Sequence, residues 1–425
     1  PSAGVIGAIY IGQQVGLDKI ITFDMGGTSI DVSLIEDGKA QLSNDRTVEG
    51  YPARIPMIDI VTVGAGGGSI AHIDEGGALK VGPRSAGATP GPACYMRGGQ
   101  LPCVTDANIV LGKLNATKIL GGKMDVDRSL AEQAIRTHIC DKAGLTLERA
   151  AAGIVSVVNS NMVRAIRVVS VERGYDPREF TLMAFGGAGP LHACEVALDM
   201  GIRQVLIPPS PGTLCSLGLL MADTKFDLSC SNLTPAEPAY LDKAQDIFRG
   251  LLADGDALLD KEHVERDKRE YTYTVDCRYM RQNYEIAIQV AAPFDQAALE
   301  DMIERFHQEH ERAYGYCSRE MPVQMVNFRL SAIGVMEKPD LSAAALEPQA
   351  ALPQPMEVRQ VLFDRESEFV DTKVYHRTQL KPGTTLEGPA ILEQMDSTCV
   401  IPPQWSAYTD AYYNIIALYK GGEEK

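Results

Sequence analysis

The nine cysteines of this 425-residue chain include no C-x-x-C pair. Four thiolate or imidazole ligands at short spacing are therefore missing, which excludes a structural zinc finger. An odd and scattered set of cysteines points to reduced, buried thiols in a cytoplasmic protein and away from a disulfide framework. No apolar run approaches the roughly 20 residues needed to cross a bilayer. Basic charge is in short supply: 40 Lys and Arg stand against 56 Asp and Glu, a formal net charge of −16. That balance argues against nucleic acid or an anionic membrane as the main partner. No Gly-x-Ser-x-Gly elbow occurs, so serine hydrolysis has no support. The opening Pro1-Ser2-Ala3-Gly4 has neither an initiating Met nor a charged leader, and we expect it to lie inside a longer protein. What remains is ordinary globular composition, 45% hydrophobic and 23% charged, with room for two to three domains at about 150 residues each.

Glycine is plentiful and unevenly placed. Most of the 39 glycines precede Gly218 and cluster beside apolar runs, the pattern of a loop-built ligand site on an α/β scaffold. Residues 1–17 read as a tightly packed helix. Ile20 to Phe23 and Ile30 to Ile35 read as two strands of a hairpin around Gly26-Gly27-Thr28-Ser29. Further strands are expected at 58–63, 180–185 and 205–207, with helices at 130–139, 150–171 and 190–200. Thr234-Pro-Ala-Glu-Pro reads as a linker. It is followed by helices at 241–259 and 296–313 and strands within 271–290 and at 323–333. Residues 337–356 read as a second linker or draped arm, and the last 65 or so as a small β module. The expected division is thus 1–230, 231–340 and 341–425, an α/β lobe followed by an α+β region and the module.

Three Gly-rich segments carry chemistry. In Phe23-Asp24-Met25-Gly26-Gly27-Thr28-Ser29 a strand ends on a carboxylate, bare backbone follows, and two hydroxyls close the run. Glycines let peptide N–H groups approach an anion, and the Asp24 carboxylate suits Mg²⁺ held through waters beside phosphates. A plain hairpin turn with a solvated Asp is the alternative. The second segment, Gly186-Gly187-Ala188-Gly189 with Pro190 and His192, lies between a strand and a helix, where α/β proteins bind ligands. His192 there would contact a phosphate, donate a proton, or simply hold structure. The third, Gly64 to Gly68 with Ser69, misses the dinucleotide spacing and is either a flexible turn or, through Gly66 and Gly67, part of a cleft. Arg84, Ser85 and Thr89 sit in a Gly/Pro-rich loop and would contact substrate or phosphate, or pack between domains. Thr105-Asp106-Ala107-Asn108 reads as a helix N-cap, with Asp106 as a polar cleft group in the alternative. His307 and His310 lie on a helix at H-x-x-H spacing, a solvated face or a metal pair. Cys94 and Cys103 have no adjacent His and read as structural thiols.

These segments, in this order, resemble the hydantoinase A/oxoprolinase family of ATP-dependent hydantoinases, 5-oxoprolinases and matching subunits of acetone-type carboxylases. The likeness runs through Phe23 to Ser29, Gly64 to Ala71, Val81 to Tyr95, Thr105 to Asn108, Glu172 to Pro177, Phe185 to Ala193, Pro208 to Thr213 and Gly388 to Thr398. Arg281, within Arg278-Tyr-Met-Arg-Gln, departs from the Gly that relatives often carry. The resemblance implies an actin-like (RNase H-like) ATPase lobe. Asp24, Gly26, Gly27, Thr28 and Ser29 would form its second phosphate loop, and Gly186, Gly187, Ala188 and Gly189 its adenosine loop. It further implies ATP and Mg²⁺ as cofactors, a cyclic amide or ketone as substrate and a second type of subunit as partner. The family's first phosphate loop belongs to an N-terminal domain, and no second Asp-x-Gly-Gly-Thr occurs here. The chain by itself is therefore expected to be inactive.

Overall fold

The computed structural model describes residues 1–43, 46–48, 51–53, 57–339, 341–347, 350–363 and 366–421. Its centre is a mixed sheet. Strand β1 (Ile20–Met25) turns back into the antiparallel β2 (Ile30–Glu36), which also pairs with β3 (Val61–Val63). On its other side β1 runs parallel to β4 (Thr181–Phe185), and β4 runs parallel to β5 (Gln204–Ile207). Nearly every residue of β1 and all of β4 are buried, as expected of central parallel strands covered on both faces.

Two helical layers provide that cover. On one face lies α3 (Leu147–Val169), whose buried stripe Ala150, Ile154, Val158, Met162, Ala165 and Val169 recurs at spacings of three and four. Ile21, Phe23 and Met25 belong to the same hydrophobic core. The opposite face buries Ile20, Ile35, Met183 and Phe185 under α1 (Ser2–Val15) and α5 (Leu214–Met221). Leu147–Arg173 is long and apolar enough to cross a membrane, so the apolar run missing from the linear sequence emerges once the helix is traced. Half of that stretch is buried inside the protein, as in the core helix of a globular domain.

The expected elements between 1 and 221 recur with shifted ends. The 130–139 helix changes at Arg136 into a π turn through Cys140. The 58–63 strand breaks into Met57–Ile58 and Val61–Val63. The domain limits differ from expectation. Pro1–Met221 and Pro339–Lys425 form one unit and Ala222–Lys338 a second. Residues 341–425 are no separate module, because β6 (Trp405–Thr409) and β7 (Ile415–Tyr419) continue the main sheet, with β7 antiparallel to β5. Without β7 the edge of β5 would leave a row of peptide groups unpaired, and Ile415, Ile416 and Ala417 are the buried residues that cover it. A smaller sheet (Glu357–Val361, Val370–His376, Ala390–Glu393 and Thr398–Ile401) completes this unit.

The second unit is an α+β body. Its antiparallel sheet runs Thr224–Pro235, Val323–Gly334, Arg269–Tyr279 and Ile286–Val290. Helices Leu241–Lys261 and Gln296–Tyr314 contribute Phe248, Leu251, Met302 and Phe306 to its core. The expected linker at 234 is instead the end of a 12-residue strand. His307 and His310 are not on a solvated face. Both are buried, with His307 Nδ1 2.7 Å from the Tyr279 hydroxyl and His310 Nδ1 2.8 Å from the Tyr316 carbonyl. Among the described residues no group of three or more His, Cys, Asp or Glu is arranged to hold a metal.

Candidate functional site

The β1–β2 turn sits at the C-terminal end of β1, where the sheet opens into a cleft of about 400 Å³. Gly26 spends its N–H on the Ser29 carbonyl at 3.0 Å. The carbonyls of Gly26 and Gly27 accept from the N–H groups of Gly67 (3.1 Å) and Gly68 (2.7 Å). Among the described residues, nothing accepts from the N–H groups of Gly27 and Thr28, and both residues line the cleft. A Cβ on Gly27 would meet nothing within 4 Å, whereas one on Gly66 would fall 2.6 Å from Gly27 C and Thr28 N. The two glycines thus serve different ends. Gly66 lets two backbones touch, and Gly27 leaves space empty. Ser85 Oγ accepts from Gly87 N at 3.1 Å and lies 3.5 Å from Thr28 Oγ1, which seats Ser85 against the turn.

Across the cleft is the loop between β4 and α4 (Gly189–Asp199). Gly186 N donates to the Pro211 carbonyl at 2.8 Å and Ala188 N to the Met25 carbonyl at 2.9 Å. The loop is thereby tied to the end of β1. Gly186 has φ +77, and a Cβ there would come within 2.4 Å of Met25 O and 2.6 Å of Asp24 Oδ1. No side chain fits. Asp24 itself does not line the cleft. Alternation along β1 turns it to the face covered by α1 and α5, half-buried beneath Gly186, where the Cys215 thiol donates to Oδ2 at 3.2 Å. Burial raises the Asp24 pKa above the ordinary aspartate value; the Cys215 hydrogen bond opposes the rise and the Asp31 carboxylate adds to it. Asp31 is its direct cross-strand neighbour.

The third wall comes from far along the chain. The turn Gln394–Ser397, between strands Ala390–Glu393 and Thr398–Ile401, lines the cleft. Asp396 Oδ2 accepts from Gly212 N at 2.9 Å, and Ser397 Oγ donates to the Gly187 carbonyl at 3.3 Å. The sequence signal is the run Gly388 to Thr398, one of the segments that resemble the family; a separate module at 341–425 would not bring it to the cleft. Tyr95, Leu114, Ile119, Leu120 and Leu191 give the cleft apolar surface, and among the described residues its lining includes no Lys or Arg.

Known proteins share the sequence and fold of this chain. Residues 1–228 match the hydantoinase/oxoprolinase family model, and residues 237–420 match the model of the hydantoinase/oxoprolinase C-terminal domain. The chain belongs to the hydantoinase/oxoprolinase family. Among its curated relatives is the caprolactamase subunit alpha of Pseudomonas jessenii, 37% identical over 414 residues, which cover 96% of this chain and 60% of that one. Another is the 5-oxoprolinase PfmaA of Pestalotiopsis fici, 32% identical over 442 residues, covering 96% of this chain and 32% of that protein. Two solved structures share the fold. A nucleotide-free acetone carboxylase, described in work on ATP-dependent acetone carboxylation, aligns with TM-score 0.88 and 26% identity, over 98% of this chain and 60% of that one. The ATP-dependent caprolactamase from Pseudomonas jessenii aligns with TM-score 0.82 and 35% identity, over 99% of this chain and 62% of that one. The chain thus spans about three fifths of the length of these carboxylase and caprolactamase chains.

Some residues picked from the sequence of this hydantoinase/oxoprolinase chain lie elsewhere. Arg84 and Thr89 are exposed and do not line the cleft, although Gly87, Ala88 and Pro92 of the same loop do. Asp106 is not a cleft group. It is fully buried, and its carboxylate accepts from the N–H groups of Ala93 (3.1 Å), Cys94 (2.8 Å) and Cys103 (2.8 Å). It closes a capping box on α2 (Val104–Val110), whose N-cap is Cys103. Cys94 and Cys103 are buried thiols beside it, and burial pushes both pKa values well up. Because Asp106→Ala strands three buried amides, it should cost at least about 3 kcal/mol of stability. Denaturant unfolding of the variant checks this.

His192 lines the cleft but is buried. Its Nδ1 lies 2.8 Å from Asn159 Oδ1, and Asn159 Nδ2 donates to Glu195 Oε2 at 3.1 Å. Glu195 pairs with Lys113 at 2.6 Å. Burial opposes ionisation of Glu195, yet the adjacent ammonium holds its pKa below the ordinary value. Burial, with the Lys113 charge adding, lowers His192 to about 4. The ring is therefore neutral at pH 7 and does not supply a proton.

Proposed function

We propose that this chain forms one phosphate-gripping lobe of an ATP-dependent enzyme. The enzyme would transfer the γ-phosphoryl group of ATP to the carbonyl oxygen of a cyclic amide of hydantoin, 5-oxoproline or lactam type. The phosphorylated amide is a far better electrophile than a resonance-stabilised ring amide, so water adds to its carbon. The C–N bond then breaks, the nitrogen leaving protonated as the ring opens, and a second water releases phosphate from the resulting acyl phosphate. The observation that carries the reading is the pair of unengaged N–H groups at Gly27 and Thr28, exposed to a cleft whose opposite wall is the Gly186–Gly189 loop. Amides fixed in this way hold phosphate oxygens and offset developing charge without reorganising.

Gly26, Gly27, Thr28 and Ser29 are assigned to phosphate, and Gly187, Ala188 and Gly189 to the nucleoside, with His192 behind them as a neutral packing group. Gly66, Gly67 and Ser85 support the phosphate turn. Asp24, beneath Gly186 and outside the cleft lining, is the proposed catalytic carboxylate and would hold the metal only through waters. A single carboxylate, with no cage of further ligands, fits a Mg²⁺ that keeps most of its waters and takes phosphate oxygens for the rest. When bound, Mg²⁺ neutralises phosphate charge.

A cleft without Lys or Arg makes this lobe insufficient alone. Charge-assisted hydrogen bonds contribute about 1.5–3 kcal/mol each, so two give roughly 3–6. Association costs about 4–15 kcal/mol, and micromolar affinity requires about 8 net. Further protein, from the same polypeptide or a second subunit, is needed to complete the grip. A ketone carboxylase subunit is the second reading, favoured by the TM-score of 0.88 to the acetone carboxylase structure. The test is ATP hydrolysis by the full-length protein with its partner subunit, in the presence of caprolactam, 5-oxoproline, hydantoin, or acetone with bicarbonate. Stimulation by a cyclic amide is expected. Stimulation only by acetone with bicarbonate would select the second reading, and stimulation by none would overturn both.

A further inference from the structure

Asn108, on α2, is fully buried and lines the cleft beside Leu191 and His192. Its orientation is set by a relay that begins at an ion pair. Lys113 holds Glu195 ionised. A carboxylate only accepts, so the Asn159 group 3.1 Å from Glu195 Oε2 is its amide nitrogen, and the Asn159 oxygen faces His192. His192 Nδ1 must then carry the ring's proton, which leaves Nε2 as an acceptor. The Asn108 amide nitrogen stands 3.4 Å from Nε2 and 3.0 Å from the Val104 carbonyl. Exchanging the amide's two ends would set an oxygen against two acceptors, so this orientation is the one the relay permits. Among the described residues Asn108 Oδ1 has no partner and is left as a buried acceptor. An unpaired buried carbonyl is costly, and native proteins pair nearly all of them.

We propose that Asn108 Oδ1 is a specificity-determining acceptor for an N–H donor carried by a ring-shaped ligand that fills this cleft. Leu114, Ile119, Leu120 and Leu191 offer apolar surface for such a ring. Two ligands of the proposed reaction carry the chemistry: adenine, through its exocyclic amino group, and a lactam, through its ring N–H. A site built around a buried acceptor rejects an analogue lacking the donor, because the acceptor is then stranded. The inference rests on the function proposed above.

The test is isothermal titration of the full-length protein with two ligand pairs. ATP is compared with purine riboside triphosphate, which lacks the amino group, and caprolactam with caprolactone, which lacks the N–H. The wild-type protein should favour the donor-bearing member of one pair by about tenfold, and Asn108→Leu should reduce that ratio to about one. The pair that responds names the ligand that Asn108 reads. Should the variant not fold, the pairs in the wild-type protein still decide. Equal affinities within both pairs would overturn the inference while leaving the functional reading intact, as would a preference that Asn108→Leu retains. Failure of the wild-type protein to bind either ATP or caprolactam would overturn both.

Discussion

A Gly27→Val variant of the full-length protein is expected to fold as the parent does and to lose at least about a hundredfold in ATP affinity. The fold is spared because a Cβ at Gly27 meets nothing within 4 Å, and its φ lies outside the left-handed region that only glycine tolerates easily. The affinity falls because a branched side chain would occupy the space through which a phosphate reaches the Gly27 and Thr28 amides. Loss of two charge-assisted hydrogen bonds, about 1.5–3 kcal/mol each, corresponds to that factor or more. Gly66→Ala is the informative contrast. Its new methyl would sit 2.6 Å from backbone atoms of Gly27 and Thr28, which cannot swing aside as a side chain can. Overpacking of this kind costs about 1–3 kcal/mol, and it should appear as a lowered unfolding midpoint. Titration calorimetry and thermal unfolding on both variants check the pair of outcomes. A Gly27→Val protein with parental ATP affinity would contradict the assignment of the turn.

Asp24→Asn should lower turnover by about a hundredfold or more, on the scale seen when a fixed electrostatic stabiliser is removed, while leaving the fold as stable as before or more so. The stability sign follows from the raised pKa. Burial disfavours the ionised carboxylate, so the folded state carries a penalty that sets in as pH rises above the ordinary aspartate value and is complete above the raised one. Asparagine has the same shape and no charge, so the penalty disappears at neutral pH. The same shift predicts an acid limb in the rate profile of the parent at a pH above the usual carboxylate range. The Cys215 thiol donates to the ionised form at 3.2 Å. Its loss in Cys215→Ala should move that limb to still higher pH, which a pH profile of kcat/KM would measure. Parental turnover in Asp24→Asn would remove Asp24 from the reaction.

The sequence was most legible where one local pattern sufficed. The β1–β2 hairpin follows from apolar runs on either side of Gly26-Gly27, and α3 follows from a buried stripe at helical spacing. The β1–β2 turn and the Gly186–Gly189 loop could be picked out because they need bare backbone, and glycine advertises it. Asp24 shows where such reading stops. Contiguity with Gly26 and Gly27 suggested one shared site, but strand alternation sends the carboxylate to the face opposite Phe23 and Met25. Asp106 takes the capping role read from Thr105 to Asn108 and not the alternative cleft role, for a related reason. A carboxylate before a helix serves as well to tie three amides together as to meet a ligand, and burial alone separates the two roles. The least legible part was the cleft's third wall. Gln394 to Ser397, the turn between Ala390–Glu393 and Thr398–Ile401, reaches the Gly187 carbonyl and the Gly212 amide across some 200 residues of chain. Pairing over such separations leaves no local trace beyond a run of alternating apolar residues.

Hydrogen exchange over residues 23–30 of the full-length protein, at short labelling times with and without saturating MgATP, tests the central claim most directly. The amides of Gly27 and Thr28, for which no acceptor is found among the described residues, are free to exchange in the unliganded protein and should become protected when polyphosphate binds. Unchanged exchange there, with ATP bound at another place in the protein, would show that the turn after Asp24 does not hold the nucleotide.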